Sequence, residues 1–231
     1  MLLIQNCYKT YQKNNGYVFE NLNLELFKEK TALIGENGVG KTTLLKIIVG
    51  LIKPDQGQIL LNGENLYQNP KLRKQIGYVP SESFFYEKLT VKENLELIGS
   101  LFGVSNLEKR INEISIQTGI INYLDKSVGD LSTGMKKKLT LAGGFLHNPQ
   151  FLILDEPFNA LDISAVSLFY QLIADFPGGI LFTTHIPETI YQLADRILLL
   201  KNGSIQEDRR KKDFSNNSAL KEWMSKNIKS N

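Results

Sequence analysis

Apolar residues along the chain follow two periods. Leu22, Leu24 and Leu26 alternate with polar neighbours, the spacing of a strand with one buried face. Thr31-Ala32-Leu33-Ile34 is a continuous apolar run that stops at Gly35, as a central strand feeding a tight loop would. Leu44, Leu45, Ile47, Ile48 and Val49 then recur at helical spacing before Gly50. The predicted order is strand, glycine loop, helix. Further strands are predicted at 58–61, closed by an Asn62-Gly63 turn, and at 76–79 before Pro80. From there to about residue 130 the pattern is helical, a helical insertion with capping boxes at Thr90-Val91-Lys92-Glu93 and Ser105-Asn106-Leu107-Glu108. Phe151-Leu152-Ile153-Leu154 and Ile180-Leu181-Phe182-Thr183 are strand-length apolar runs separated by a helical pattern over 165–173. That alternation predicts an α/β fold with a mostly parallel sheet. A hairpin is expected around Asn202-Gly203 and a terminal helix over 214–228.

Composition narrows the classes. A length of 231 residues suits one large domain, or one domain carrying a subdomain, and 42% hydrophobic residues can fill its core. The single Cys7 excludes an internal disulfide framework, and the N-terminus turns polar at Gln5 and Asn6, too soon for a secretory signal, so the cytoplasm is the expected compartment. No run approaches the roughly 18–20 apolar residues that span a bilayer, and mean hydropathy is -0.18. The net charge of +3 is mild. The basic runs 136–138 and 209–212 are expected to be solvated faces, and no nucleic-acid partner is expected.

Two segments carry chemistry. Gly35-Glu36-Asn37-Gly38-Val39-Gly40-Lys41-Thr42 is a complete G-x-x-x-x-G-K-[ST] between a predicted strand and a predicted helix. Its glycines let the backbone wrap a phosphate, whose oxygens meet successive N–H groups and the positive end of the helix. Lys41 is expected to reach the β- and γ-phosphates and Thr42 to ligate Mg²⁺. The run 151–154 ends in Asp155-Glu156, two carboxylates at the C-terminal edge of a strand, where ligands bind in open α/β sheets. Asp155 is expected to hold Mg²⁺, and Glu156 to polarise the water that attacks the γ-phosphate.

Three further segments occur in an order that resembles the ATP-binding cassette (ABC) ATPases. Leu131-Ser132-Thr133-Gly134-Met135 resembles their signature loop, Asn159-Ala160-Leu161-Asp162 their D-loop, and His185, after Thr184, their switch histidine. The resemblance covers about residues 2–207. It implies a P-loop NTPase fold with a mostly parallel central sheet, an N-terminal antiparallel β subdomain and a helical signature subdomain over about 82–148. Residues 208–231 are then a short basic, helical C-terminal extension. It also implies ATP and Mg²⁺ as ligands, with Tyr11 stacking on adenine and Gly35, Asn37, Gly38, Gly40, Lys41, Thr42 and Thr43 around the phosphates. Ser132, Gly134 and Asp162 would serve the site of a second cassette, a second copy of the chain more readily than a different one, packed head to tail over two ATP molecules. Lys41, Glu156 and His185 would be the catalytic set.

The same resemblance implies a transporter ATPase peripheral on the inner face of the cell membrane, driving transmembrane permease subunits on separate chains. The stretch Leu89–Leu95 is similar to cassettes of exporters. The alternative is a soluble cassette ATPase that drives no transport, acting on ribosomes or regulating cell-wall enzymes. Ser81 stands where the family commonly has Gln, after Gly77-Tyr78-Val79-Pro80, and so is the candidate third metal contact, reaching only through water unless Glu82 substitutes. Thr133 and Met135 replace the second Gly and the Gln of the commonest signature. Phe84-Phe85-Tyr86 lies where the family docks its membrane partner, and an exposed aromatic cluster there would be a partner site.

Overall fold

The structure, a computed structural model, describes residues 1–11 and 16–228, without the side chains of 163 and 164. In chain order the first elements are β1 (Leu2–Lys9), β2 (Phe19–Leu26), β3 (Lys30–Ile34), α1 (Lys41–Ile48), β4 (Gln56–Leu61), β5 (Glu64–Asn65) and β6 (Ile76–Val79). Three helices follow, α2 (Val91–Phe102), α3 (Leu107–Thr118) and α4 (Thr133–Phe145). The chain then alternates through β7 (Phe151–Leu154), α5 (Ile163–Ala174), β8 (Gly179–Thr183) and α6 (Pro187–Leu193), before the hairpin β9 (Arg196–Lys201) and β10 (Ser204–Arg210) and the final α7 (Asn217–Asn227).

Two sheets result. One is antiparallel, ordered β2-β1-β4-β5, and the other is ordered β10-β9-β3-β8-β7-β6 with every pair parallel except the β9–β10 hairpin. The parallel strands are covered on both faces, which is why they read as unbroken apolar runs. Period-two geometry sorts their side chains: Leu152, Leu154, Ile180 and Phe182 pack with Leu95, Ile111 and Leu139 of the helices, while Phe151, Ile153 and Leu181 pack with α1 and the antiparallel sheet. In β2 the alternation is as expected, with Leu22, Leu24 and Leu26 buried. The Asn202-Gly203 turn closes the hairpin with both residues at positive φ, 50° and 74°.

Two expectations are overturned. Thr90 and Glu93 form their capping box, but Ser105 and Glu108 do not. The helix α3 starts one residue later, on Asn106 at φ 49° with no side-chain cap. The connection from α2 is so short that Gly103 and Asn106 both take left-handed backbone to turn it, and a left-handed residue cannot aim its side chain at the first helical N–H groups as an extended N-cap does. The run Lys136-Lys137-Lys138 is likewise not a solvated face. Three consecutive helical residues fan over about 200°, so they cannot share one side of α4. Lys137 is buried at 3% exposure, whereas Lys136 pairs with Glu87 at 3.1 Å and Lys138 with Asp162 at 3.8 Å.

Candidate functional site

The loop between β3 and α1 is shaped by glycine. Gly38 and Gly40 stand at φ 77° and 109°, and a Cβ at Gly40 would lie 2.8 Å from Val18 Cγ1, so a side chain there would be both strained and crowded. Gly40 is the N-cap of α1, and no side chain caps the backbone N–H groups of that helix's first turn. Lys41, 9% exposed, folds back and donates from Nζ to the carbonyls of Gly35 at 2.8 Å and Glu36 at 3.0 Å. Burial lowers its pKa, a tendency opposed by the charges of Glu156 and Asp155.

Next to this loop lie the C-terminal ends of β7 and β8. Thr42 Oγ1 donates to Asp155 Oδ2 at 2.8 Å, and Thr183 Oγ1 donates to Asp155 Oδ1 at the same distance. The Asp155 N–H is held by Val79 O at 2.8 Å, and the Glu156 N–H donates to Thr183 Oγ1 at 2.9 Å. Glu156 sits at φ 46°, an uncommon conformation for a glutamate, of the kind that collects at functional sites. Burial pushes its carboxyl pKa up to about 7, with Lys41 opposing, Asp155 reinforcing and Lys137 opposing the shift. His185 Nε2 is 3.0 Å from Glu156 Oε1, yet the approach is off the line of a hydrogen bond, which leaves that buried oxygen without a donor. The imidazole pKa is lowered, by burial first and then by Lys41.

A cavity of about 330 Å³ adjoins the loop on the side of α7. A second, of about 300 Å³, brings together ten of the residues named from sequence: Asn37, Gly38, Gly40, Lys41, Thr42, Thr43, Ser81, Asp155, Glu156 and His185. Gly35 lies just outside it, against the first cavity. Tyr11 is exposed rather than part of a core, its hydroxyl 3.2 Å from Thr43 Oγ1. Ser132, Gly134 and Asp162 are not in the cavity. Ser132 caps α4, accepting from the Met135 N–H at 3.3 Å, and Asp162 caps α5, accepting from the Ala165 N–H at 2.8 Å. A Cβ on Gly134 would be 3.1 Å from Ala160 O, so these two loops of one chain are neighbours.

Sequence reading missed Thr183 and Lys137. The first has a signal in strand pairing. The parallel register sets Leu154 beside Phe182, so the next residues, Asp155 and Thr183, come side by side. The second had none, because its burial depends on how α4 is rolled against β6.

The residues present fit a nucleoside triphosphate with Mg²⁺. A glycine-lined cradle at the start of a helix and a buried ammonium suit phosphate oxygens, and a threonine hydroxyl beside a carboxylate is the small, hard oxygen set that Mg²⁺ takes together with phosphates. Comparison with known proteins agrees. The family described as "ABC transporter" matches residues 19–159. The chain is 31% identical over 215 residues to the "ABC transporter ATP-binding protein NatA" of Bacillus subtilis, covering 89% of this chain and 87% of that protein. It is 34% identical over 209 residues to the "Lantibiotic transport ATP-binding protein SrtF" of Streptococcus pyogenes, covering 89% of each. Its fold matches, at TM-score 0.82 and 26% identity over 91% of this chain and 98% of the other, a dimeric ATP-binding cassette in a post-hydrolysis state, bound to ADP and Pi.

Proposed function

This chain belongs to the ABC transporter family as an ATP-binding ATPase subunit, and from that premise we propose that it hydrolyses Mg-ATP within a head-to-tail dimer and thereby drives separate transmembrane subunits, in the direction of export. The observation that carries the reading is the convergence of the glycine loop, Lys41, Thr42, Asp155, Glu156 and His185 on one cavity.

Their chemistry divides cleanly. The loop amides and Lys41 hold the triphosphate, while Thr42 and Asp155 hold Mg²⁺. When bound, the metal offsets charge on the phosphate oxygens. Glu156 accepts a proton from water as the water oxygen bonds to the γ-phosphorus and the bond to ADP breaks; a carboxylate with a pKa near 7 is well matched to that work. His185, which lines the same cavity, contacts the γ-phosphate and orients the water.

Ser132 and Gly134 lie outside this cavity, at the start of α4, which supports a role at the phosphate of a second copy rather than at their own. Partner subunits find a different surface. Phe84 and Tyr86 are 78% and 66% exposed, beside an apolar groove of about 360 Å³ lined by Leu51, Pro80, Phe85 and Phe102. Aromatics this exposed are explained by a covering partner. Among the described residues no helix is long and apolar enough to cross a membrane, so the membrane part is assigned to those partners. Export is favoured by the Leu89–Leu95 stretch.

The test is phosphate release by the purified chain with Mg²⁺ and with EDTA, followed by co-purification of its membrane partners with wild type and with a Phe84→Ser/Tyr86→Ser double variant. Metal-dependent release, and partner loss in the double variant alone, are expected. Release that ignores EDTA, or partners retained by the double variant, would overturn the corresponding half of the reading.

A further inference from the structure

Of the described residues that are both charged and buried, Lys41, Asp155 and Arg196 have evident partners: Lys41 and Asp155 in the cavity, Arg196 in a bidentate pair with Asp208. Lys137 is the remaining one. It lies on α4, five residues after Ser132, and its Nζ donates to Pro80 O at 3.2 Å, immediately before Ser81 of the cavity. The approach of α4 to β6 is set by two glycines. A Cβ on Gly77 would strike Gly144 O, and Gly144 is two helical turns from Lys137, on the same face of α4. Thr140, on that face too, meets Ser83 Oγ at 2.6 Å. The 80–83 turn is therefore pinned to α4 at two points. Val79, the residue before Pro80, accepts the Asp155 N–H at 2.8 Å, so the strand end that Lys137 holds also holds the Asp155–Glu156 carboxylates. Burial lowers the Lys137 pKa to about 8, and those carboxylates oppose the shift.

We propose that Lys137 is a positioning residue for ATP hydrolysis: its buried ammonium fixes the Pro80–Ser81 turn and the setting of the Asp155–Glu156 pair, and so ties the placement of the general base to the placement of α4, the helix that carries Ser132. The inference rests on the reading of Glu156 as base given above. It assigns to one side chain the link between the loop that faces a second copy and the carboxylates that work on water. A charge in low dielectric acts strongly on its surroundings, and an ammonium buried against a backbone carbonyl is a costly arrangement to keep for packing alone.

The experiment measures kcat and KM for Mg-ATP, affinity for a fluorescent ATP analogue, and Tm, on the full chain carrying Lys137→Met, Lys137→Gln or Lys137→Arg, with Glu156→Gln as control. Met and Gln are expected to lower kcat at least tenfold with KM and analogue affinity within twofold of wild type, and Arg to recover at least a third of wild-type kcat. A merely structural role would move KM, affinity and Tm together, and that pattern overturns the proposal. So does a kcat within twofold of wild type in Met or Gln. If the Met variant does not fold, Gln and Arg decide: equal turnover in the two overturns the proposal, and Arg well above Gln at equal affinity upholds it. The control separates the two readings. If Glu156→Gln turns over like wild type, the assignment of the base fails. If it is inactive while Lys137→Met is normal, only the inference about Lys137 fails.

Discussion

Thr183 donates its hydroxyl to Asp155 Oδ1 at 2.8 Å and with the same oxygen accepts the N–H of Glu156 at 2.9 Å. One buried side chain at the end of β8 thus orients the carboxylate assigned to the metal and holds the backbone of the carboxylate assigned to water. Thr183→Val keeps the shape, removes the hydroxyl, and strands a buried N–H and a carboxylate oxygen. The expected cost is about 1–3 kcal/mol, or a Tm lowered by roughly 2–10 °C for a domain of this size, with kcat reduced more than ATP affinity. Thr183→Ser should recover most of both. Equal Tm and kcat in Thr183→Val and wild type would show that the network is incidental.

Glu156 is the group whose loss should separate binding from turnover. Replacing it with Gln keeps the size and removes the proton acceptor, so ATP binding is expected to persist while turnover falls by roughly 10² to 10⁴. With hydrolysis blocked, the ATP-bound dimer should accumulate, which light scattering with and without Mg-ATP detects. An unchanged rate would remove Glu156 from the role of base.

Ser132 tests the shared site. It lies outside the cavity that holds Lys41 and Glu156 of its own chain, so a bulky Ser132→Arg should leave ATP binding by the monomer intact and abolish hydrolysis. Mixing this variant with Glu156→Gln supplies a sharper check: a mixed dimer has one composite site with both lesions and one with neither, and should regain activity. Full turnover by a strict monomer at every concentration would end the shared-site reading.

How much of this was legible depended on where the signal lay. The strand, loop and helix over 31–50 and the carboxylates at 155–156 are written in contiguous residues, so hydrophobic period and glycine placement expose them. The Thr183–Asp155 bond joins residues 28 apart and requires knowing that β7 and β8 are neighbours, which no local pattern states. Lys137 was misread for a related reason. A run of three lysines looks uniform in sequence, but helical geometry points the middle one inward, against β6, where two glycines let the helix approach. Asn106 displaced Ser105 as cap because the turn's backbone, not the motif, decided where α3 begins.

The remaining histidine carries a prediction of its own. His147 follows α4, stacked on Phe102 with ring centroids 4.0 Å apart, and its Nε2 is 3.3 Å from Ile76 O. Burial pushes its pKa down to about 4 from the ordinary 6.5, with the Ile76 carbonyl opposing and Arg110 reinforcing the shift. Because the folded state holds the neutral ring, the unfolded chain binds more protons between those values, and stability falls as pH drops through them. The contribution is complete above about pH 6.5. By pH 5 it has lost about 2 kcal/mol, for a shift of this size at 25 °C. Lowered carboxylates such as Asp208 lose their own contribution at lower pH, so the difference between wild type and His147→Phe isolates the histidine. Phenylalanine keeps the stack on Phe102 and cannot be protonated. Urea unfolding at pH 7.5 and pH 5 should show wild type losing about 2 kcal/mol more than the variant; parallel losses would mean that the ring is already charged in the fold, and that the wall of the groove beside Phe84 is wetter than its apolar lining implies.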